Sequence, residues 1–362
     1  MLSDLDYMER ALQLAERGRG QTTPNPMVGA VVVQADGTVA GQGFHERAGG
    51  PHAEILALDE AGDRARDAAL YCTLEPCCHS GRTGPCVERI VAAGVARVVA
   101  AAEDPNPLVS GRGVEYLRQR GVSVEVGVGG DQARRLNRPF FTYMQYGRPF
   151  VIMKAALSLD GRIAARPGVR TQLTSLESRQ HAHRVRAEVD AIAVGAGTVL
   201  VDDPWLTARA VWRRRPLMRV VFDRRLRVAP AARLFSTIDA GPVVIVTTPA
   251  SMASQPDRVR ALEAVGARLE PIADGELRTA FARLARLEVT SVLLEGGAQL
   301  HRAAWEAGLV DAVHLYVAPV TLDSDGVPWL DAHTFSTSAL TDRRIRACGP
   351  DIFVEGYVHR TH

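Results

Sequence analysis

Three short segments constrain this chain most: Pro51-His52-Ala53-Glu54, Pro76-Cys77 and Pro85-Cys86. One imidazole and two thiolates make the donor set of a catalytic zinc, which takes three protein ligands and keeps a fourth position for water. Such ligands serve only if the fold carries all three segments to one point, and the local patterns allow it. Residues 53–61 read as a helix, which puts His52 at its entrance. The run AALYCTL (68–74) reads as a strand that delivers Cys77. PCVERIVAAG (85–94) reads as a helix opened by Pro85 and closed by Gly94. A helix N-terminus lowers a thiol's pKa through its free N–H groups and its dipole, which suits Cys86. Glu54, two residues after His52, can reach a metal-bound water without ligating the metal, and can move its proton. Cys72 lies inside the strand and reads as core. Cys78 points away from Cys77 in an extended segment and reads as packing beside the site.

Strand and helix alternate along the rest of the chain. Residues 4–17 predict an amphipathic helix capped by Ser3, with Leu5, Met8, Leu12 and Ala15 on one face. AVVVQ (30–34) and TVAGQGF (38–44) flank ADG and predict a hairpin. Strands are expected at 97–103 and 122–128, and helices at 113–120 and 131–145. Gly147 and Pro149 punctuate YGRPF (146–150), which places a boundary between a domain of residues 1–147 and one of residues 148–362. Beyond it, strands are expected at 151–157, 191–195, 218–223, 242–248, 291–297 and 312–320, with helices around 257–265 and 277–287. The fold class is α/β, with helices on both faces of mixed sheets.

With 43 basic and 41 acidic residues the net charge is +2, too balanced for a surface that tracks a polyanion. Nucleic acid is therefore not an expected partner. Five cysteines, sparse and odd in number, argue against a disulfide scaffold. The acid-bearing N-terminal stretch has no apolar run long enough for a signal peptide or a membrane span. The expectation is a cytoplasmic protein with reduced thiols and no membrane partner, assembled as a homo-oligomer, dimer or tetramer.

His-x-Glu followed by Pro-Cys is similar to the signature of zinc nucleobase deaminases. Most of these separate the two cysteines by two residues; here eight lie between Cys77 and Cys86. That long insertion resembles the deaminase half of the bifunctional riboflavin-biosynthesis deaminase/reductases. So do TTPNPMVGAVVV (22–33), GQGFHERAGGPHAE (41–54), TLEPCCHSGRTGPC (73–86) and EDPNPLVSGRG (103–113). The resemblance implies a cytidine-deaminase-like α/β/α sandwich, one zinc on His52, Cys77 and Cys86, and Glu54 as proton shuttle. It implies Asn25 and His45 against a pyrimidine, and His79, Arg82, Asp104 and Asn106 toward its ribose phosphate. A phosphorylated small molecule fits the donors that the insertion adds. Gly84 stands where relatives often carry a second proline.

KAALSLDGRIA (154–164), VRAEVDAIAVGAGTVLVDDPWLTAR (185–209) and LLEGGAQL (293–300) resemble the reductase half, a dihydrofolate-reductase-like α/β domain that uses NADPH. No Gly-x-Gly-x-x-Gly follows a strand, so a Rossmann site is not expected. The glycines of EGGAQL let a pyrophosphate approach the backbone at a helix N-terminus, and GAGT (195–198) offers a second such loop. The resemblance implies NADPH contacts at Ala156, Thr174, Thr198, Asp202, Gly297, Ala298, Gln299 and Leu300. It implies substrate contacts at Lys154, Arg186, Leu206, Arg209 and Glu295, with the arginines as phosphate ligands.

Two departures stand out. Arg170-Thr171-Gln172-Leu173-Thr174 replaces a Ser-x-Trp-Ile-Thr of many relatives, and Arg224 replaces a serine. Either arginine could hold the 2′-phosphate of NADPH or stand in solvent. The run Arg213-Arg214-Arg215 reads as an exposed loop. The implied work is deamination of a diaminopyrimidinone ribosylamino 5′-phosphate, then reduction of its ribose to a ribityl chain. A nucleic-acid deaminase is the main alternative, opposed by the charge balance and the cysteine spacing. A zinc-binding module without turnover is another, opposed by Glu54.

Overall fold

Ser3 starts the fold. Its hydroxyl accepts the Asp6 N–H while the Asp6 carboxylate takes the Ser3 N–H at 2.7 Å, a reciprocal cap that opens α1 (Asp4–Glu16). This computed structural model describes residues 2–78, 84–330 and 334–358. The chain divides into two units, Met1–Gly147 and Arg148–His362.

In the first unit β1 (Gly29–Val33) and β2 (Val39–Phe44) form the expected hairpin, followed by α2 (Ala53–Ala61) and β3 (Ala69–Cys72). Then come α3 (Cys86–Ala92), β4 (Arg97–Ala100), α4 (Arg112–Gln119), β5 (Ser123–Val126), α5 (Gly130–Leu136) and α6 (Arg138–Tyr146). The sheet order is β2-β1-β3-β4-β5; β1 is antiparallel to both neighbours, and β3, β4 and β5 are parallel. Two glycines show why helices lie so close on both faces. A Cβ on Gly29 would stand 2.0 Å from Ala11 O of α1, and one on Gly41 would stand 2.2 Å from Ala57 O of α2. Gly41 pairs with Val32, whose side chain faces opposite to that of Gly29's position, so α1 and α2 cover opposite faces. The result is a three-layer α/β/α unit.

The helix expected over 131–145 is two helices. Pro139 sits in the first turn of α6, where its missing N–H costs nothing, and α5 ends at Leu136. Asn137 between them spends its amide on the Met27 backbone, accepting from the N–H and donating to the carbonyl, each at 2.8 Å.

The second unit begins with β6 (Phe150–Leu157), β7 (Arg162–Ala164), α7 (Leu176–Glu188), β8 (Ala191–Gly195), α8 (Ala196–Asp202) and β9 (Met218–Phe222). β10 (Val243–Thr247), α9 (Pro249–Ser254), α10 (Pro256–Ala264), β11 (Ala267–Pro271), α11 (Leu277–Arg286), β12 (Ser291–Leu294) and α12 (Ala298–Glu306) continue it. β13 (Ala312–Val317), β14 (Val327–Pro328), β15 (Leu340–Cys348) and β16 (Asp351–Val358) complete it. The main sheet runs β11-β10-β9-β8-β12-β6-β13-β16-β15, parallel through β13 and antiparallel beyond; β7 pairs with β14. Both faces of its central parallel strands are covered. Ala191 and Ala193 enter one core while Ile192 and Val194 enter the other, which is why these strands read as unbroken apolar runs.

β11 and the β15–β16 hairpin are absent from the sequence expectation. Seven consecutive residues of β15 are exposed, so its DRRIR stretch carries no apolar signature. The strand expected over 291–297 stops at Leu294, because Glu295-Gly296-Gly297 turns into α12. Arg213 and Arg215 are not loop charges in solvent. Arg213 Nη1 donates to the carbonyls of Arg186, Ala187 and Val189 at the end of α7, and Arg215 pairs with Asp190 at 2.7 Å. No helix among the described residues is long and apolar enough to cross a membrane.

Candidate active sites

The three cysteine and histidine segments converge. His52 Nδ1 lies 3.1 Å from Cys86 Sγ and 3.4 Å from Cys77 Sγ, and the three ligating atoms fall within 4.8 Å of one another. Zinc bonds of about 2.0–2.3 Å at tetrahedral angles place ligand atoms roughly 3.5 Å apart, so this donor set fits the metal. The elements explain the convergence. His52 immediately precedes α2, Cys86 is the first residue of α3, and Cys77 follows β3 with its sulfur accepting the Cys86 N–H at 3.3 Å.

Electrostatics prepare the triad for a cation. Hydrogen bonds from Cys86 and His52 pull the Cys77 thiol down to about 4. The Cys77 thiolate in turn raises His52. Cys86 is pushed up, because its hydrogen bond to Cys77 holds its proton and its burial opposes a second thiolate. A coordinated divalent ion supplies the charge that ionises such a thiol outright. Glu54, in the first turn of α2, is 3% exposed. Burial raises its carboxyl against the pull of His52, so it can hold and release a proton, as general acid–base work requires.

Asn25 and His45 meet beside this triad. His45 Nδ1 faces the Pro51 carbonyl at 2.9 Å, and a carbonyl only accepts, so that nitrogen carries the proton. Nε2 is then the acceptor for Asn25 Nδ2 at 3.1 Å, which leaves Asn25 Oδ1 as an acceptor that His45 does not use. Burial lowers the His45 pKa and keeps the ring neutral. His45 is 2% exposed, with one ring nitrogen on the Pro51 carbonyl and the other on Asn25. Asp104, pushed up to about 6 by burial and then by Glu75, Cys77 and Glu54, senses the same centre. It accepts the Asn106 N–H at 2.8 Å, and Asn106 Oδ1 accepts the Leu108 N–H at 3.0 Å. His79 and Arg82 lie outside the described residues. Cys78 turns to the Leu108 carbonyl at 3.8 Å, in the packing role expected of it.

The second unit gathers its residues at the C-terminal ends of β6, β8 and β12, where ligands of open parallel sheets bind. Glu295 accepts from Arg186 Nε and Nη2, both at 2.7 Å, and Lys154 Nζ stands 3.8 Å away. Burial works to raise Glu295, yet Arg186 and Lys154 hold it at about 2. Lys154 is lowered by burial, with its Nζ 5.5 Å from the Tyr316 ring centre. Arg186 also donates to the Thr207 carbonyl, so three of its donors are engaged within the protein. Arg209 is exposed and shares His183 through its backbone N–H and its guanidinium. The Leu206 side chain is in the core, at a positive φ of 54°; only its backbone is offered to a ligand.

Gly197 and Gly297 sit at the openings of α8 and α12, on adjacent strand ends, and nothing lies within 4 Å of where a Cβ of either would stand. Their missing side chains leave room for a ligand's phosphates to reach the backbone, a cradle that suits NADPH. Thr198, Ala298, Gln299 and Leu300 belong to the first turns of the same two helices, and Asp202 closes α8 with burial raising its pKa against the pull of Arg170. Ala156 lies on β6 opposite Tyr316, and Thr174 lies just before the N-cap of α7. Arg224 is exposed, its guanidinium lying over Gly275. Sequence reading missed Glu75, Asn137, His183 and Tyr316. Each acts across a long sequence separation, and none stands in a local pattern that marks it.

The family model for the cytidine and deoxycytidylate deaminase zinc-binding region matches residues 1–102, and that for the RibD C-terminal domain matches residues 149–354. The chain is 42% identical to the riboflavin biosynthesis protein RibD of Aquifex aeolicus over 87% of each chain. It is 40% identical to that of Escherichia coli over 97% of this chain and 98% of the other. Among solved structures, Acinetobacter baumannii RibD superposes with a TM-score of 0.86 at 33% identity, over 99% of both chains. A Thermotoga maritima diaminohydroxyphosphoribosylaminopyrimidine deaminase/5-amino-6-(5-phosphoribosylamino)uracil reductase gives 0.85 at 32%, over 98% of this chain and 99% of that one. Identity at this level, sustained through both units, means that the chain belongs to the RibD family: a bifunctional riboflavin-biosynthesis enzyme with a zinc-binding deaminase domain and an NADPH-dependent reductase domain.

Proposed function

We propose that residues 1–147 deaminate 2,5-diamino-6-ribosylamino-4(3H)-pyrimidinone 5′-phosphate. Residues 148–362 then reduce the ribosyl chain of the product, giving 5-amino-6-ribitylaminouracil 5′-phosphate. The observation that carries this reading is the convergence of His52, Cys77 and Cys86 beside the buried Glu54. Those three residues would hold the zinc, which would lower the pKa of a bound water to about 7. Glu54 carries one proton of the attacking water to the ring nitrogen as the C–O bond forms, and the second, from the new hydroxyl, to the amino group as the C–N bond breaks and ammonia leaves. Asn25 offers Oδ1 to the pyrimidine with its orientation set by His45; Asp104, Asn106, His79 and Arg82 serve the ribose phosphate.

In the reductase unit NADPH supplies the hydride, held by the loops at Gly197–Thr198 and Gly297–Leu300 together with Ala156, Thr174 and Asp202. Glu295 stays ionised between Arg186 and Lys154, so it orients these cations over the substrate and does not itself donate a proton. Arg209 and the remaining donors of Arg186 take the phosphate. A cytoplasmic setting agrees with five free cysteines. Assembly as a homo-oligomer, dimer or tetramer, agrees with Ile345 (71% exposed) and Ile352 (45% exposed) on one face of the sheet edge, a patch that a second copy would cover.

Mass spectrometry of the diaminopyrimidinone phosphate tests both steps. Without NADPH it gains about one dalton as O replaces NH; with NADPH it gains about two more. No second gain would remove the reductase assignment, and no first gain would remove the deaminase.

A further inference from the structure

Glu75 stands two residues before Cys77 and is 3% exposed. Its carboxylate accepts four backbone N–H groups from a single later stretch. Oε2 takes Asp104 N at 3.2 Å and Gly111 N at 2.9 Å; Oε1 takes Gly113 N at 2.9 Å and Val114 N at 3.1 Å. Three of these belong to the cap and first turn of α4, whose N–H groups have no partner within the helix and carry its positive end. The fourth belongs to Asp104. The two ends of the 104–111 loop are therefore pinned to one oxygen atom, and the loop between them carries Asn106. The approach is tight: a Cβ on Gly113 would stand 2.1 Å from the Pro76 carbonyl and 3.1 Å from Glu75 Oε1. Asparagine, glutamine or a hydroxyl could not match four donors with one anionic acceptor pair.

We infer that Glu75 is a positioning residue of the deaminase: it fastens the loop bearing Asp104 and Asn106 to the segment bearing Cys77, so that substrate groups and metal ligands keep one register. The inference rests on the assignment of Asp104 and Asn106 to the ribose phosphate. Misplacement of a substrate-holding loop by a fraction of an ångström weakens binding before it touches the reacting centre.

The test uses the full-length zinc-loaded enzyme. Glu75→Gln keeps the shape but turns an NH2 toward two of the four donors. It should raise the deaminase KM about 10-fold with kcat changed less than about 3-fold. Zinc content and the reductase rate on deaminated substrate should be unchanged. In an Asp104→Ala/Asn106→Ala background the same substitution should add little, because the route through the loop is already gone. Loss of zinc from Glu75→Gln, or a full additional KM rise in that background, would overturn the inference and leave the substrate assignment standing. If Asp104→Ala/Asn106→Ala itself leaves KM unchanged, the substrate assignment falls, and this inference with it. Should Glu75→Gln fail to fold, hydrogen exchange on the unaltered enzyme decides. The amides of Gly111, Gly113 and Val114 should exchange as slowly as those of β3, and exchange at loop rates would overturn the inference.

Discussion

Glu295 receives two parallel hydrogen bonds of 2.7 Å from Arg186 in a pocket where both side chains are largely buried. A buried carboxylate stripped of such a partner is costly, so Arg186→Ala should lower unfolding stability by about 3 kcal/mol at pH 7. The sign with pH follows from the depressed pKa. Glu295 sits at about 2 in the fold against an ordinary 4.5, so the stabilisation is complete above about 4.5 and disappears as pH falls toward 2. Denaturant titrations of both proteins from pH 7 to 3 should show the cost of Arg186→Ala shrinking in that window. A cost that is constant with pH would mean that the pair does not set stability.

Glu54→Gln should retain zinc and fold while losing deaminase kcat by about 10³-fold, the contribution of a general acid–base group. Reductase turnover of the deaminated substrate should be unaffected. Residual deamination within about 10-fold of the native rate, well short of the roughly 100-fold minimum for a general acid–base group, would exclude Glu54 as the shuttle.

Metal removal should separate the two activities. A chelator, or Cys86→Ala, should abolish deamination while the NADPH-dependent step on deaminated substrate continues, because the donor set lies wholly within the first unit. Metal analysis alongside the two assays checks this.

Asn25→Ala should raise the deaminase KM by roughly 10- to 100-fold through loss of an oriented acceptor. His45→Phe should produce a smaller rise in the same direction, since it removes only the group that orients Asn25. A larger effect from His45→Phe than from Asn25→Ala, measured by steady-state kinetics, would reverse their roles.

Gly297→Val tests the cofactor cradle. Gly297 has φ −74°, a value any residue adopts, and open space where a side chain would go, so the melting temperature should hold. The KM for NADPH should rise more than about 10-fold, because the branched side chain would occupy room reserved for the phosphates. An unchanged KM would place the cofactor elsewhere.

The first unit was more legible from sequence than the second, for physical reasons. His52, Glu54, Cys77 and Cys86 are each tied to the end of an element with a strong local signature, so motif and geometry agree. The central strands of the second unit announce themselves because both their faces are buried. β15 does not, because the seven residues between its buried ends face solvent and its only strand partner is β16. Arg213 read as a loop charge because the carbonyls it caps belong to α7, remote in sequence. Leu206 read as a ligand contact with no sign of which part of it would serve; its side chain is core, which leaves the backbone for that role. Glu75 carries the same lesson: TLEP gives no hint that the acid's partners stand around 30 to 40 residues later.

The clamp of Asn137 on Met27 spans 110 residues and closes from beyond the stretch that the deaminase zinc-binding region covers. A chain leaving the ribosome completes its zinc ligands at Cys86, with the Asn25–His45 contact already available, but lacks the clamp on Met27 until Asn137 has emerged. The nascent enzyme thus has its whole metal-donor set well before the segment that follows Asn25 is fastened, and a product truncated before Asn137 would keep His52, Cys77 and Cys86 while losing that fastening.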